Sequence, residues 1–176
     1  MIPSRDRIVP MLSEAQIQTR IQGLGAQITA DYTDKEVVVV GLLNGVYPFF
    51  ADLTRAIHLD FDVGFMQVSS YHGGTESTGE VKIVKDLDSA IQGRHCLVVE
   101  DIVDTGTTLF KVRNLLLDRG PLSLKVCTLL DKPSRRKTQV PVDYIGFTIE
   151  DRFVVGYGLD LDGKFRNLPF VGVYQP

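Results

Sequence analysis

Cysteine is scarce in this chain, with only Cys96 and Cys127 among 176 residues, and both sit in apolar, strand-like runs. Neither offers metal-ligand spacing, so the simplest expectation is two buried free thiols in a reduced, cytoplasmic setting. Long hydrophobic runs are also missing. The longest strongly apolar stretch, Val37 to Leu43, is far short of the roughly 18 residues a membrane span requires. The opening Met-Ile-Pro-Ser-Arg-Asp-Arg carries no apolar signal core. Positive charge is not in excess: 19 Lys and Arg face 22 Asp and Glu, for a net charge of −3. That balance argues against a general nucleic-acid or membrane binder while leaving room for a local cationic pocket. Internal repeats, low-complexity tracts and long linkers are absent. The three histidines, His58, His72 and His95, show no ligand or triad spacing. What remains, 44% hydrophobic and 23% charged residues, describes an ordinary soluble globule, expected to form one domain over residues 1–176.

Periodicity organises the chain. Ser13 followed by Gln16 resembles a capping box, and Ile17, Ile21, Leu24 and Ile28 recur at helical spacing. A buried strand is predicted at Val37 to Leu43, with a turn at Asn44-Gly45. Pro48 can open a helix whose apolar face is Phe49, Phe50, Leu53 and Ile57. Phe61 to Val68 reads as a strand, and the polar, glycine-rich residues 69–80 as a long functional loop. Further strands are predicted at Cys96 to Glu100, Lys125 to Leu130, Tyr144 to Ile149 and Phe153 to Tyr157. Leu109, Val112, Leu115 and Leu116 mark a helix that Gly120-Pro121 stops. Strands alternating with helices imply an α/β fold: a mostly parallel twisted sheet covered by helices on both faces. Ligands of such sheets bind at the carboxyl ends of the strands.

At one such end lies Leu97-Val-Val-Glu100-Asp101-Ile-Val-Asp104-Thr105-Gly106-Thr107-Thr108. An apolar strand meets three acids, then a small hydroxyl-rich turn, then a helix. The turn lets backbone N–H groups converge on an anion at the helix N-terminus. Carboxylates beside such a cradle repel a phosphate unless they serve a ribose hydroxyl, a divalent cation or a proton transfer. The loop therefore suits a sugar phosphate with a metal. The plainer reading is an ordinary strand-to-helix turn with Asp104 or Thr105 as N-cap. Gly-Lys-Ser/Thr and G-x-G-x-x-G are both missing, which excludes a Walker A loop and a dinucleotide fingerprint.

Glu100 to Thr108 resembles the signature of type I phosphoribosyltransferases. Ser70-Tyr71, Leu130-Asp131-Lys132, Phe153-Val154-Val155-Gly156-Tyr157, Asp160 and Phe165-Arg166 follow in an order similar to the hypoxanthine–guanine branch. The resemblance runs from about Val37 to the C-terminus. It implies the type I fold with a small hood from the terminal segments. The activity it implies is purine salvage, in which 5-phosphoribosyl-1-pyrophosphate and a purine base give a nucleoside monophosphate and pyrophosphate.

By this resemblance Asp104 is the general base at purine N7. Glu100 and Asp101 hold the ribose hydroxyls, directly or through Mg²⁺ and water, and Thr105, Gly106, Thr107 and Thr108 cradle the 5′-phosphate. Asp160 helps hold a second Mg²⁺ and lies near the purine C2 substituent. Phe153 stacks on the purine and the Val154 backbone meets its edge. Arg166 contacts pyrophosphate, while Ser70 and Tyr71 close over the site. The lysine ammonium of Lys132 has donors and no acceptor, so it can donate to O6 of hypoxanthine or guanine but cannot accept from the N6 amino group of adenine. Simpler roles stand beside these: Lys132 as a solvated lysine next to Arg135-Arg136-Lys137, Phe153 as core, Arg166 as a surface arginine, Tyr71 as an exposed loop aromatic.

One position departs from the pattern. Many family members carry lysine where this chain has Asn44. In the family this loop approaches pyrophosphate and can contain a non-proline cis peptide. The resemblance leaves contact through the Leu43–Gly45 backbone and removes a charged contact. A homodimer or homotetramer is also implied. The alternative is a non-enzymatic regulator on the same fold that senses phosphoribosyl pyrophosphate and binds RNA or DNA. Asp104, Lys132 and Asp160 would be dispensable to such a sensor, which would also need a broader basic face than Arg135 to Lys137. A transferase for adenine or a pyrimidine is disfavoured by Lys132 and the Phe153 to Tyr157 segment.

Overall fold

A computed structural model of the protein describes residues 4–70 and 81–175. Its centre is a six-stranded sheet built from β2 (Val37–Leu43), β3 (Asp62–Ser70), β4 (Val81–Lys85), β5 (His95–Val103), β6 (Ser123–Asp131) and β7 (Tyr144–Thr148). Their order is β4-β3-β2-β5-β6-β7, and every neighbouring pair is parallel except β3 with β4. Parallel strands need crossovers, which here include α2 (Tyr47–Ala56) and α3 (Thr107–Leu117).

The period-2 alternation of strand side chains divides the core. Val37, Val39, Leu97, Val99, Cys127 and Leu129 face α2 and the long helix α1 (Glu14–Tyr32), whose Ile17, Ile21, Leu24 and Ile28 are buried. Val38, Val40, Cys96, Val98 and Val126 face the other way, onto Leu109, Val112 and Leu116 of α3. Burial on both faces is why these strands read as unbroken apolar runs. Both cysteines are free and buried. A second, three-stranded sheet joins β1 (Ile8–Leu12), β9 (Val171–Tyr174) and β8 (Val154–Val155), so the two terminal segments form the hood together. Among the described residues no helix is long and apolar enough to cross a membrane.

Several strand limits differ from expectation. β5 runs three residues past Glu100, because pairing with β6 continues through Ile102 opposite Leu130 and Val103 opposite Asp131. Glu100 and Asp101 therefore lie within the strand rather than after it. Ser69 and Ser70, expected in a loop, are paired with β4. The expected strand from Phe153 to Tyr157 shrinks to Val154–Val155, because Gly156, Tyr157 and Gly158 all take positive φ (94°, 50° and 99°) and turn the chain. β1, β4 and β9 had no counterpart in the sequence reading.

Candidate active site

At the carboxyl end of β5 a cleft of about 270 Å³ is lined by Glu100 to Gly106, Thr108 and Leu109. Gly106 caps α3 with φ 78°, a left-handed angle that glycine takes without steric cost. No side chain caps the helix there, so neither Asp104 nor Thr105 is the N-cap. The N-cap position belongs to Gly106, and Thr105 Oγ1 accepts the Thr107 N–H at 3.5 Å from the residue before it. Thr107 Oγ1 lies 3.2 Å from Thr138 Oγ1. Thr105 accepts at its carbonyl from the N–H groups of Lys137 and Thr138 at 2.9 and 3.0 Å.

Glu100 and Asp101 form a half-buried acidic pair. Burial, then the Asp101 charge beside it, pushes the Glu100 carboxyl well above the usual carboxylate range. Asp101 is also raised by burial, against the lowering pull of Glu100, of the Ile102 N–H that it accepts at 2.7 Å, and of Arg166. Gly45 reaches this pair from the loop after β2. A Cβ there would collide with Asp101 Oδ2 and stand 3.5 Å from Arg166 Nη1. The Leu43–Asn44 peptide is cis, and Asn44 Oδ1 accepts from Gln67 Nε2 at 3.4 Å.

The hood supplies the opposite wall. Arg166 Nη2 pairs with Asp160 Oδ1 at 2.8 Å, and its Nη1 donates to the Gly158 carbonyl at 2.6 Å. Asp160 Oδ2 accepts the Gly163 N–H at 2.7 Å. Arg166 is thus a held arginine rather than a loose surface one. Phe153 is 52% exposed and Val154 is buried, so Phe153 is not core and offers a free ring face.

Lys132 is only 6% exposed, which overturns the solvated reading. Its N–H donates to the Val103 carbonyl at 3.0 Å, and Nζ donates to the Arg152 carbonyl at 2.6 Å and stands 3.9 Å from Asp151 Oδ1. Asp104 Oδ1 accepts from Arg135 Nε at 3.1 Å, and Asp104 lifts the Arg135 guanidinium above its ordinary range. Arg136 donates from Nη1 to the Asp104 carbonyl at 2.7 Å and pairs with Asp131, both side chains nearly buried.

Glu100, Asp101, Asp104, Lys132 and the Leu43–Gly45 loop therefore meet at one end of the large sheet, with Asp160 and Arg166 brought in by the hood. Ser70 ends β3, and Tyr71 lies outside the described residues. Among the described residues no three His, Cys, Asp or Glu groups could together hold a metal ion. Glu100 and Asp101 form one candidate set, while Asp160 is tied to Arg166. A pair of carboxylates with substrate oxygens is the usual way Mg²⁺ is held, and the mutual repulsion of Glu100 and Asp101 suits a cation. The roles of Arg135, Arg136 and Thr138 in building the site had no sequence signal, since a run of basic residues looks the same on a wet face.

A phosphoribosyl transferase domain model matches residues 12–162. The hypoxanthine phosphoribosyltransferase of Salmonella typhimurium is 54% identical over 92% of each chain. The hypoxanthine-guanine phosphoribosyltransferase of Staphylococcus aureus is 51% identical over 94% of this chain and 93% of its own. A crystal structure of a hypoxanthine phosphoribosyltransferase from Staphylococcus aureus superposes with a TM-score of 0.94 at 49% identity, covering 97% of this chain and 94% of that one. A signature loop on β5, a hood from both termini and likeness along nearly the whole length agree, and the chain belongs to the phosphoribosyltransferase family, in its hypoxanthine and hypoxanthine-guanine branch.

Proposed function

We infer that this protein is a purine-salvage transferase that moves the 5-phosphoribosyl group of 5-phosphoribosyl-1-pyrophosphate to hypoxanthine, guanine or both, giving IMP or GMP and pyrophosphate. The observation that carries the base specificity is the buried Lys132 side chain, whose own backbone N–H bonds the Val103 carbonyl next to Asp104. A donor without acceptor and a carboxylate stand together, matching O6 and the N7 proton on one edge of a 6-oxopurine. Adenine would present an amino group to Lys132, and two donors cannot pair.

In this reading Asp104 accepts the N7 proton as positive charge grows on the ribose and pyrophosphate leaves. Phe153 stacks on the base and the Val154 backbone meets its edge, with Asp160 close to the C2 side. The open first turn of α3, with Thr105, Gly106, Thr107 and Thr108, binds the 5′-phosphate. Glu100 and Asp101 orient the ribose hydroxyls. Arg166 and the Leu43, Asn44 and Gly45 backbone hold pyrophosphate, and Ser70 with Tyr71 excludes water. Glu100 and Asp101 would hold one Mg²⁺ and Asp160 would help hold a second, and the bound metal would neutralise charge on pyrophosphate. Both sheets contribute to one site, so residues 1–176 act as one unit. The acidic net charge and buried thiols suit a cytoplasmic enzyme without nucleic-acid or membrane partners. Val63 and Val84, exposed on the β3–β4 ribbon, suit assembly as a homodimer or homotetramer.

The test is nucleotide formation from phosphoribosyl pyrophosphate and Mg²⁺ with hypoxanthine, guanine, xanthine, adenine and uracil in separate reactions. Turnover of hypoxanthine or guanine without adenine is expected. Binding of phosphoribosyl pyrophosphate without turnover of any base would instead favour a sensor.

A further inference from the structure

The segment that follows β6 is stitched to the signature loop along its length. Lys132 N–H bonds Val103, Lys137 and Thr138 N–H bond Thr105, and Arg136 bonds the Asp104 carbonyl while paired with Asp131. These contacts fix the short 3-10 turn Pro133–Arg135 beside the carboxylate of Asp104. Arg135 leaves that turn half-exposed and reaches two acids at once: Nε lies 3.1 Å from Asp104 Oδ1 and Nη1 3.4 Å from Asp151 Oδ2. Asp151 in turn stands 3.9 Å from the Lys132 ammonium. Charges of alternating sign, Asp104, Arg135, Asp151 and Lys132, thus run from the acceptor for N7 to the donor for O6.

We propose that Arg135 is a positioning residue for the transfer, holding the Asp104 carboxylate by one oxygen and anchoring it to Asp151 and, beyond it, Lys132. The proposal rests on Asp104 being the base. A half-exposed ion pair contributes little to folding, so stability does not account for the arrangement. Its effect lies in geometry. Arg135 engages Asp104 through Oδ1, which leaves Oδ2 to take a proton. A guanidinium suits this task because its planar fork can meet two carboxylates with defined directions, whereas an ammonium is a point charge. Other charged groups on the elements packed about Asp104 include Glu100 and Asp101 on β5, Asp131 and Lys132 at the end of β6, Arg136 and Lys137 just after the turn, and Asp151 and Arg152 after β7. Of these side chains, Arg135 is the one with a direct bond to the Asp104 carboxylate.

The experiment measures the single-turnover rate of IMP formation, with enzyme in excess over hypoxanthine and with saturating phosphoribosyl pyrophosphate and Mg²⁺. The variants are Arg135→Ala, Arg135→Lys, Asp104→Asn and the Arg135→Ala/Asp104→Asn double. Arg135→Ala is expected to slow the step roughly 10- to 100-fold, as misplacing a reacting group does. Affinity for phosphoribosyl pyrophosphate and the melting temperature should stay unchanged, and Arg135→Lys should recover part of the rate. In the Asp104→Asn background, Arg135→Ala should add no further loss. An Arg135→Ala rate equal to wild type overturns the proposal, and so does a loss of the same size in both backgrounds. Wild-type speed in Asp104→Asn alone removes the base assignment itself, so the two failures are told apart.

Discussion

Lys132 places its amino head where water scarcely reaches, and the cost of burying that polar group is offset by the Arg152 carbonyl and the nearby Asp151. Removing the ammonium should leave the Thr105–Thr108 end of the cleft intact. Lys132→Ala is expected to weaken hypoxanthine and guanine by about 10- to 100-fold, the worth of one charged hydrogen bond. Calorimetry should show phosphoribosyl pyrophosphate affinity nearly unchanged, and equal losses for both ligands would remove Lys132 as the reader of O6. Glu100 makes a second case. Its carboxyl is raised by burial and by Asp101, so the folded protein holds a proton that the unfolded chain has released. Stability of the ligand-free protein must then fall as pH rises from about 4.5 toward the raised value. Glu100→Gln removes that penalty. It should stabilise the ligand-free protein at pH 7 and change nothing at pH 4, while weakening binding of phosphoribosyl pyrophosphate with Mg²⁺. Denaturant titrations at the two pH values decide it. Among single residues, the gathering of Glu100, Asp101 and Asp104 around one cleft was legible because all three fall within five residues at one strand end. The part played by Arg135 and Arg136 was not, because their partners Asp104, Asp131 and Asp151 come from three separate segments.

Elements whose signal is local were the readable ones. Ser13 and Gln16 do form a capping box: the Gln16 N–H donates to Ser13 Oγ at 3.2 Å, and the Ser13 N–H donates to Gln16 Oε1 at 2.9 Å. Four residues at helical spacing then bury the face of α1 that was expected. β2 and α2 were equally plain, since an unbroken valine run and a proline in the first turn need no distant partner to be recognised. β1, β4 and β9 are short, and each is made a strand by pairing with a remote or edge partner, which leaves no period to read. β8 is two residues long for the same reason. The capping box allows a direct test at this scale. Ser13→Ala should cost about 1 kcal/mol of unfolding free energy, with activity at low temperature unchanged. Equal denaturation midpoints for the variant and wild type would mean that packing alone fixes the start of α1.

At the scale of the whole molecule, the two sheets must hold together for the site to exist, because Asp160 and Arg166 come from the hood and Asp104 and Lys132 from the large sheet. The joint is polar and partly buried. Asp52 of α2 accepts from Gln18 Nε2 on α1 at 2.6 Å and from the hydroxyl of Tyr157 in the hood. Gly158, the next residue, lies directly against the carbonyl of Gly45. Among the described residues Tyr157 is one of three tyrosines raised above the ordinary value, each by burial first; Tyr32 at the end of α1 and Tyr144 on β7 are the others. Burial also raises both thiols, Cys96 to about 12. A group with a raised folded-state pKa contributes stability that is complete below its unfolded value and is lost as pH climbs toward the folded one. The thiols should begin this loss near pH 9 and the tyrosines near pH 10, each adding up to about 1.4 kcal/mol per pH unit. Unfolding free energy measured in urea should therefore be level near pH 8 and fall steeply by pH 11. Tyr157→Phe separates the joint from the rest: it should cost about 1 kcal/mol at pH 8 through the lost bond to Asp52. The same variant should reduce the alkaline slope by one group's share. A slope identical to wild type would mean that Tyr157 ionises freely in the folded protein, and the hood would then be held to the sheet by something other than this buried hydroxyl.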